Sequence, residues 1–176
     1  RESISAILAQ NYSGAFEVIL ALGPSSDRTN EIAKELAVAD SRVVLVDNPT
    51  GRTANGLNAA IAIAKYPIIS RIDGHAEISP TYLSDATALL NKTGAVNVGG
   101  IMAAVGKSKF ERAVATAMRS SLGVGSSRFH TGGVAGPADT VYLGTFKKSA
   151  LLEAGGYDER FTRAQDWELN FRLRKN

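Results

Sequence analysis

The chain has 176 residues, 44% of them apolar and 21% charged, the balance of one globular domain with a core of its own. The absence of cysteine excludes disulfides and thiolate chemistry and makes a cytoplasmic location the expectation. A mild net charge of +3 is carried on scattered lysines and arginines with no basic stripe interleaved with aromatics, which argues against a nucleic-acid interface, and the apolar stretch 95–105 falls short of the roughly 20 residues that span a bilayer.

Residues 16–22 form a short apolar run between Gly14 and Gly23, the pattern of a buried strand. Ser25, Ser26, Asp27 and Thr29 then offer N-caps, and Ile32 and Leu36 at helical spacing predict a helix over 29–37. Residues 43–46 read as the next buried strand, ending at Asp47-Asn48-Pro49. Leu57, Ile61 and Ala64 recur at i, i+4 and i+7 and predict a second helix, which Pro67 stops. Residues 68–72 make a third strand. Strand, helix, strand, helix, strand is the pattern of a parallel sheet with crossover helices, an α/β fold. In such sheets ligands sit beyond the carboxyl ends of the strands. Here those ends carry Gly23-Pro24-Ser25-Ser26-Asp27, Asp47-Asn48 and Asp73-Gly74-His75, so polar groups from three segments are expected to converge on one edge.

Ser79-Pro80 starts a helix whose apolar face is Leu83, Ala86 and Leu90. Residues 95–105 read as one or two strands, and Phe110, Val114 and Ala117 predict a helix after them. The Gly/Ser-rich stretch 123–140 reads as a long loop. A strand over 142–146, a short helix over 149–154 ended by Gly155-Gly156, and a helix from Trp167 onward complete the chain. There is no initiating methionine or signal-peptide pattern, and the last residues read as the middle of a helix. The expectation is one domain, 1–176, truncated at both ends.

Several residues are candidates for chemistry. Asp73 and His75, just past a buried strand, can both face a divalent ion. Mg²⁺ accepts one or two protein ligands and fills its shell with phosphate oxygens and water, while imidazole suits Mn²⁺ better. The structural alternative is that Asp73 closes a turn through Gly74 and His75 is merely exposed. Asp166 can serve as a general base or as an N-cap, while Glu168, two residues on, is expected to point to solvent. Arg52 lies where a cation would meet a diphosphate, or is an exposed turn arginine. Gly155-Gly156-Tyr157-Asp158 reads as a helix end and turn, and His130 as a surface histidine.

In order along the chain, these segments resemble glycosyltransferase family two, the inverting family with the GT-A fold, and within it the bacterial succinoglycan-type exopolysaccharide branch. Residues 16–29 look like the family's second strand and its D-D-G-S-x-D-x-T turn, and 48–58 like its N-x-G-x-x-x-x-x-N stretch. Arg71-Ile72-Asp73-Gly74-His75-Ala76 stands at the D-x-D position. Residues 144–159 resemble the acceptor-side G-x-F and G-G-[FY]-D-E segment, and Gln165-Asp166-Trp167-Glu168-Leu169 the E-D-x-[DE]-L motif. The chain departs from the pattern at Leu22 and Gly23, which occupy the positions of the family's paired aspartates. The family's first strand would lie before Arg1.

The resemblance implies a GT-A fold with a mostly parallel sheet flanked by helices, lacking its first strand in this fragment. It implies Asp166 as the catalytic base, donor contacts from Arg52, Asn58 and Asp73, and a Mn²⁺ or Mg²⁺ ion on Asp73 and His75. The donor expected is a nucleotide sugar, a UDP-sugar first, with altered base recognition at Leu22 and Gly23. The acceptor expected is a glycan or lipid-linked hydroxyl, with the protein cytoplasmic at the inner membrane face through segments outside this chain. The alternative reading is a non-catalytic sugar-nucleotide-binding or scaffold domain, favoured by the lost aspartates and opposed by Asp73 and Asp166. A nucleotidyltransferase would want a Gly-rich basic signature near its start. A dinucleotide dehydrogenase is unsupported, because G-x-G-x-x-G does not follow the first strand.

Overall fold

A computed structural model of the chain describes residues 1–120, 128–131 and 134–175. The first three strands and the helices between them fall where the apolar runs place them: β1 (Val18–Leu22), α1 preceding it (Glu2–Leu8), α2 (Thr29–Ala39), β2 (Val43–Asp47), α3 (Thr53–Ile63) and β3 (Ile68–Ser70). Then follow α4 (Tyr82–Thr93), β4 (Asn97–Gly100), α5 (Lys109–Met118), the short α6 (Arg128–Thr131), β5 (Tyr142–Lys147), α7 (Lys148–Glu153) and α8 (Gln165–Lys175).

Local chemistry sets several of these boundaries. The Asp27 carboxylate accepts hydrogen bonds from the Thr29 amide (2.8 Å) and the Ser25 hydroxyl (2.6 Å), closing the turn that starts α2. Helix α4 ends on Gly94 at φ 71°, a left-handed position that glycine takes without a Cβ clash. Ser108 and Glu111 form a reciprocal capping box at the start of α5. Helix α1, absent from the expectations, has only Ser3 and Ile7 buried, too few apolar positions for a periodic signal. It is held instead by the Ser3 hydroxyl donating to the Ala76 carbonyl (3.0 Å).

Strands β1 and β2 pair in parallel, with Val18 opposite Val43 and Leu22 opposite Asp47. Strand β5 lies between β3 and β4 and runs antiparallel to both, so β3 and β4 point the same way. Of the first three strands only β1 and β2 pair in parallel; β3 departs from the expected parallel pattern by joining β5 in a separate three-stranded sheet, because β5 supplies the edge to which its backbone groups bond. The core comprises Phe146, Leu151, Tyr157 and Leu169 with Ala54 and Ile61 of α3, and two smaller groups around Val18 and Val43 and around Leu90 and Val98.

Between the edges of β1 and β3 lies an apolar cavity of about 290 Å³, lined by Val18, Leu20, Ile61, Ile69 and Phe146 among others. Among the described residues no strand joins these two edges. Of the expected loop over 123–140, residues 123–127 and 132–133 lie outside the described ones, and α6 interrupts it with His130 half-buried against Phe129. No described helix is long and apolar enough to cross a membrane.

Candidate active site

The carboxyl ends of β1 and β2 meet as expected. Asn48, buried at the end of β2, accepts from the Thr50 hydroxyl (3.0 Å) and donates to the Arg52 carbonyl (3.0 Å), folding Asn48-Pro49-Thr50-Gly51-Arg52 into a compact turn. Gly51 sits at φ 65°, and a Cβ on Gly23 would stand 3.1 Å from its Cα, so the two glycines let the β1 and β2 loops touch. Arg52 is exposed and makes no ion pair among the described residues, leaving its guanidinium free to meet an anion. Leu22 and Gly23 bring no carboxylate to this edge. The nearest one in register is Asp47, paired across from Leu22.

The third strand end carries the densest chemistry. Strand β3 ends at Ser70, two residues short of the expected 68–72; the Arg71 amide still donates to the Gly144 carbonyl of β5 (2.9 Å), and its side chain turns toward Asp73 and Asp166. Nε and Nη2 of Arg71 lie 3.1 and 3.0 Å from Oδ1 of Asp73, and Nη1 donates to Oδ1 of Asp166, 95 positions along the chain. The Arg71 guanidinium also lies 5.9 Å from the Tyr157 ring centroid. Burial works against the Arg71 charge, but the Asp166 and Asp73 carboxylates outweigh it and hold the guanidinium above its ordinary range. Burial and the neighbouring Asp166 charge likewise push the Tyr157 phenol up, and burial and then Asp73 raise Tyr142.

Asp166 is not the N-cap of its helix. It is the second residue of α8, whose first turn closes on the Ala164 carbonyl, and its carboxylate goes to Arg71. Ala164 holds φ 56°, an uncommon backbone state for a residue with a Cβ, two residues upstream of Asp166, which delivers the carboxylate. Glu168 does not point to solvent: its side chain is only 14% exposed and pairs with Arg172 one turn on. Asp166 and Glu168 stand about 200° apart around the helix, so only Asp166 faces the site.

Asp73-Gly74-His75-Ala76 is a turn, closed by the Ala76 amide on the Asp73 carbonyl (2.9 Å), with His75 exposed at its tip beside Arg1 and Glu77. A Cβ on Gly74 would meet nothing within 4 Å, so this edge is open. No group of three metal-ligating side chains exists among the described residues. An ion at this edge would have at most Asp73, whose carboxylate is also held by Arg71, and the exposed His75 to draw on, and would have to complete its shell with phosphate oxygens and water.

Asn58 is committed elsewhere than the donor edge. Its amide donates to the Tyr157 carbonyl (2.8 Å) and accepts from the Tyr157 amide (2.8 Å), clipping the Gly155-Gly156-Tyr157 turn to α3. That turn uses φ 78° and 71° at its two glycines. Its buried Tyr157 forms the floor under Arg71. The sequence placed Arg71 at the D-x-D edge and Tyr157 in the acceptor-side segment but gave neither side chain a role of its own. A lone arginine at a strand end and a tyrosine in a turn carry no periodic signal.

The family model for glycosyl transferase family 2 matches residues 1–153. The chain belongs to glycosyl transferase family 2. It is 38% identical over 160 residues to the succinoglycan biosynthesis protein ExoA of Rhizobium meliloti (strain 1021), covering 90% of this chain and 48% of that protein. It superposes on the mannosyltransferase PcManGT from Pyrobaculum calidifontis, in complex with GDP-Man and Mn²⁺, with a TM-score of 0.71 at 19% identity, over 98% of this chain and 47% of that one. It superposes on S. aureus TarS 1–349 in complex with UDP with a TM-score of 0.68 at 14% identity, over 98% of this chain and 50% of that one. The fold of this family 2 member is GT-A, and the chain spans about half the length of the proteins it matches.

Proposed function

We propose that the chain is the donor-binding core of an inverting, metal-dependent glycosyltransferase of exopolysaccharide or cell-envelope glycan synthesis, acting at the cytoplasmic face of the membrane. It would move a sugar from a nucleotide diphosphate to a hydroxyl of a glycan or lipid-linked acceptor. The observation that carries this reading is the convergence of Asp73, at the open end of β3, and Asp166, at the start of α8, on the single guanidinium of Arg71.

Each residue then has a task. Arg52, unpaired on the β2 turn, would meet the donor diphosphate, and Asp73 the donor edge itself. Asp73 and His75 would hold a Mn²⁺ or Mg²⁺ ion, whose chemistry there is to offset charge on the departing diphosphate. Asp166, as its carboxylate, would take the proton of the acceptor hydroxyl. The acceptor oxygen forms its bond to the anomeric carbon from the side opposite the diphosphate. The carbon–oxygen bond to the diphosphate breaks with its electron pair, and a single displacement inverts the configuration. Asn58 would act one step removed, through the Tyr157 turn. PcManGT was solved with GDP-Man and TarS with UDP, so the fold takes either base, and Leu22 and Gly23 leave the base of this donor to be read by titration.

The test is Asp166→Asn in the full-length protein. Transfer should fall by about 10²–10⁴-fold, the usual contribution of a general base, while calorimetric binding of nucleotide sugar with Mn²⁺ is kept. Transfer at the wild-type rate would sink Asp166 as base. If the wild type bound no nucleotide sugar, the scaffold reading would stand instead.

A further inference from the structure

Arg71 is more than a link between two elements. Its side chain is 15% exposed, whereas the carboxylates it touches, Asp73 and Asp166, are 29% and 42% exposed. One cation thus faces two anions, and the excess negative charge lies on the open side. A buried ion pair that only held the fold would be matched one to one and closed, since unmatched buried charge is costly. The surroundings fix Arg71 rather than the carboxylates. Its amide is tied to Gly144, and its guanidinium lies over Tyr157, whose main chain is held on both sides by Asn58. Tyr157 is 3% exposed, and its phenol lies close enough to Arg71 and Asp166 for both charges to act on it.

We propose that Arg71 is a positioning residue that couples the two halves of the reaction centre, aiming Asp166 at the acceptor and sharing Asp73 with the divalent ion. The inference rests on the reading of Asp166 as base and Asp73 as metal ligand. Its physical content is geometric. Asp166 sits on a helix whose entry is the strained Ala164, and Arg71 is the cation that catches its carboxylate. Without Arg71 the carboxylate is free to take other rotamers, and a base misplaced by about 1 Å can cost about 10²-fold in rate. The contact with Asp73 has the opposite sign for the metal. Guanidinium and metal draw on the same carboxylate, so Arg71 weakens metal binding to the empty site while it serves turnover.

Two readouts on the full-length protein follow from this opposition, and a merely structural role would move neither in this pattern. Arg71→Met should lower kcat by about 10²-fold with donor KM changed by less than about threefold. Arg71→Lys, which keeps the charge but not the fork, should recover about a tenth of the wild-type rate. In the absence of substrates, Mn²⁺ titrated by electron spin resonance should bind Arg71→Met several-fold tighter, about 3- to 10-fold, because Asp73 no longer shares its charge. Should Arg71→Met fail to fold, Arg71→Gln carries the same two measurements. An inactive Asp166→Asn together with wild-type kcat in Arg71→Met would overturn this inference alone. So would weaker or unchanged Mn²⁺ binding in Arg71→Met. An Asp166→Asn variant that retains transfer would overturn both this inference and the base reading.

Discussion

Two arginines flank α8 and do opposite work with the same chemistry. Arg71 reaches the helix from the end of β3 and takes Asp166. Arg172, on the helix itself, takes Glu168 one turn back and also donates to the carbonyls of Ala154 and Gly156, the latter at 2.8 Å. Arg172 closes its own account locally, with one carboxylate and two carbonyls that end α7, and nothing in its surroundings is left over. Arg71 bridges two carboxylates on separate elements and leaves net negative charge facing open space. The difference separates an arginine that completes a fold from one that prepares a site. Completeness of the hydrogen-bond set, not burial, tells them apart.

The largest effect that would sharpen this contrast is on stability. Arg172→Met leaves Glu168 unpaired at 14% exposure and strips the α7 end of two donors. We expect a loss of about 2–4 kcal/mol in urea unfolding, because a half-buried carboxylate and two carbonyls lose their partners together. The folded fraction should still turn over at the wild-type kcat. A large kcat loss at unchanged stability would put Arg172 in the same class as Arg71 and erase the comparison.

The next effect is smaller and tests the floor on which Arg71 rests. Asn58→Ala removes both side-chain bonds to the Tyr157 backbone, a buried amide and carbonyl, and should cost about 1–3 kcal/mol in the same unfolding measurement. If the turn is an anchor, donor affinity by calorimetry should change less than stability does. A selective loss of donor binding in a fully stable Asn58→Ala would return Asn58 to the donor contacts that the family resemblance suggested.

These contrasts also show why only part of the molecule could be read from its sequence. The strands β1, β2 and β3 and their crossover helices rest on apolar runs bounded by Gly23, Pro49 and Pro67, so their order and the polar edge at Asp73 were legible. The reversed β5 was not. Its direction depends on where the chain goes between residues 101 and 141, and strand periodicity is blind to direction. The Glu168–Arg172 pair was in principle visible, since an acidic residue four before a basic one on a helix supports an ion pair. Asp166 shared that helix and drew the argument toward capping. Arg71 was visible as part of the D-x-D edge, but what its side chain does was not. Its partners lie 2 and 95 positions away, and only the tertiary fold brings the second one in.

The smallest effect lies at a third arginine pair. Arg160 holds Asp158 through its side chain and its amide (3.0 Å) on the open face of the same turn, and these bonds keep the Asp158 carboxyl at about 2, below its usual 3.8. A carboxyl whose pKa is lower in the folded state stabilises the fold above the unfolded value and loses that contribution as pH falls. The window here runs from about pH 4 down to about pH 2, and Asp40, bonded by Arg42, and Asp27, bonded by Ser25 and Thr29, titrate over the same range. Because the Arg160 end of the pair is 88% exposed, although the Asp158 side chain is only 18% exposed, Asp158→Asn should lower the melting temperature at pH 7 only slightly. Between pH 4 and pH 2, however, the variant's melting temperature should fall less steeply than that of the wild type. A drop at neutral pH as large as that of Arg172→Met would mean that exposure does not weaken the pair. It would undo the ranking in which a set of bonds matters by what it leaves unsatisfied when broken.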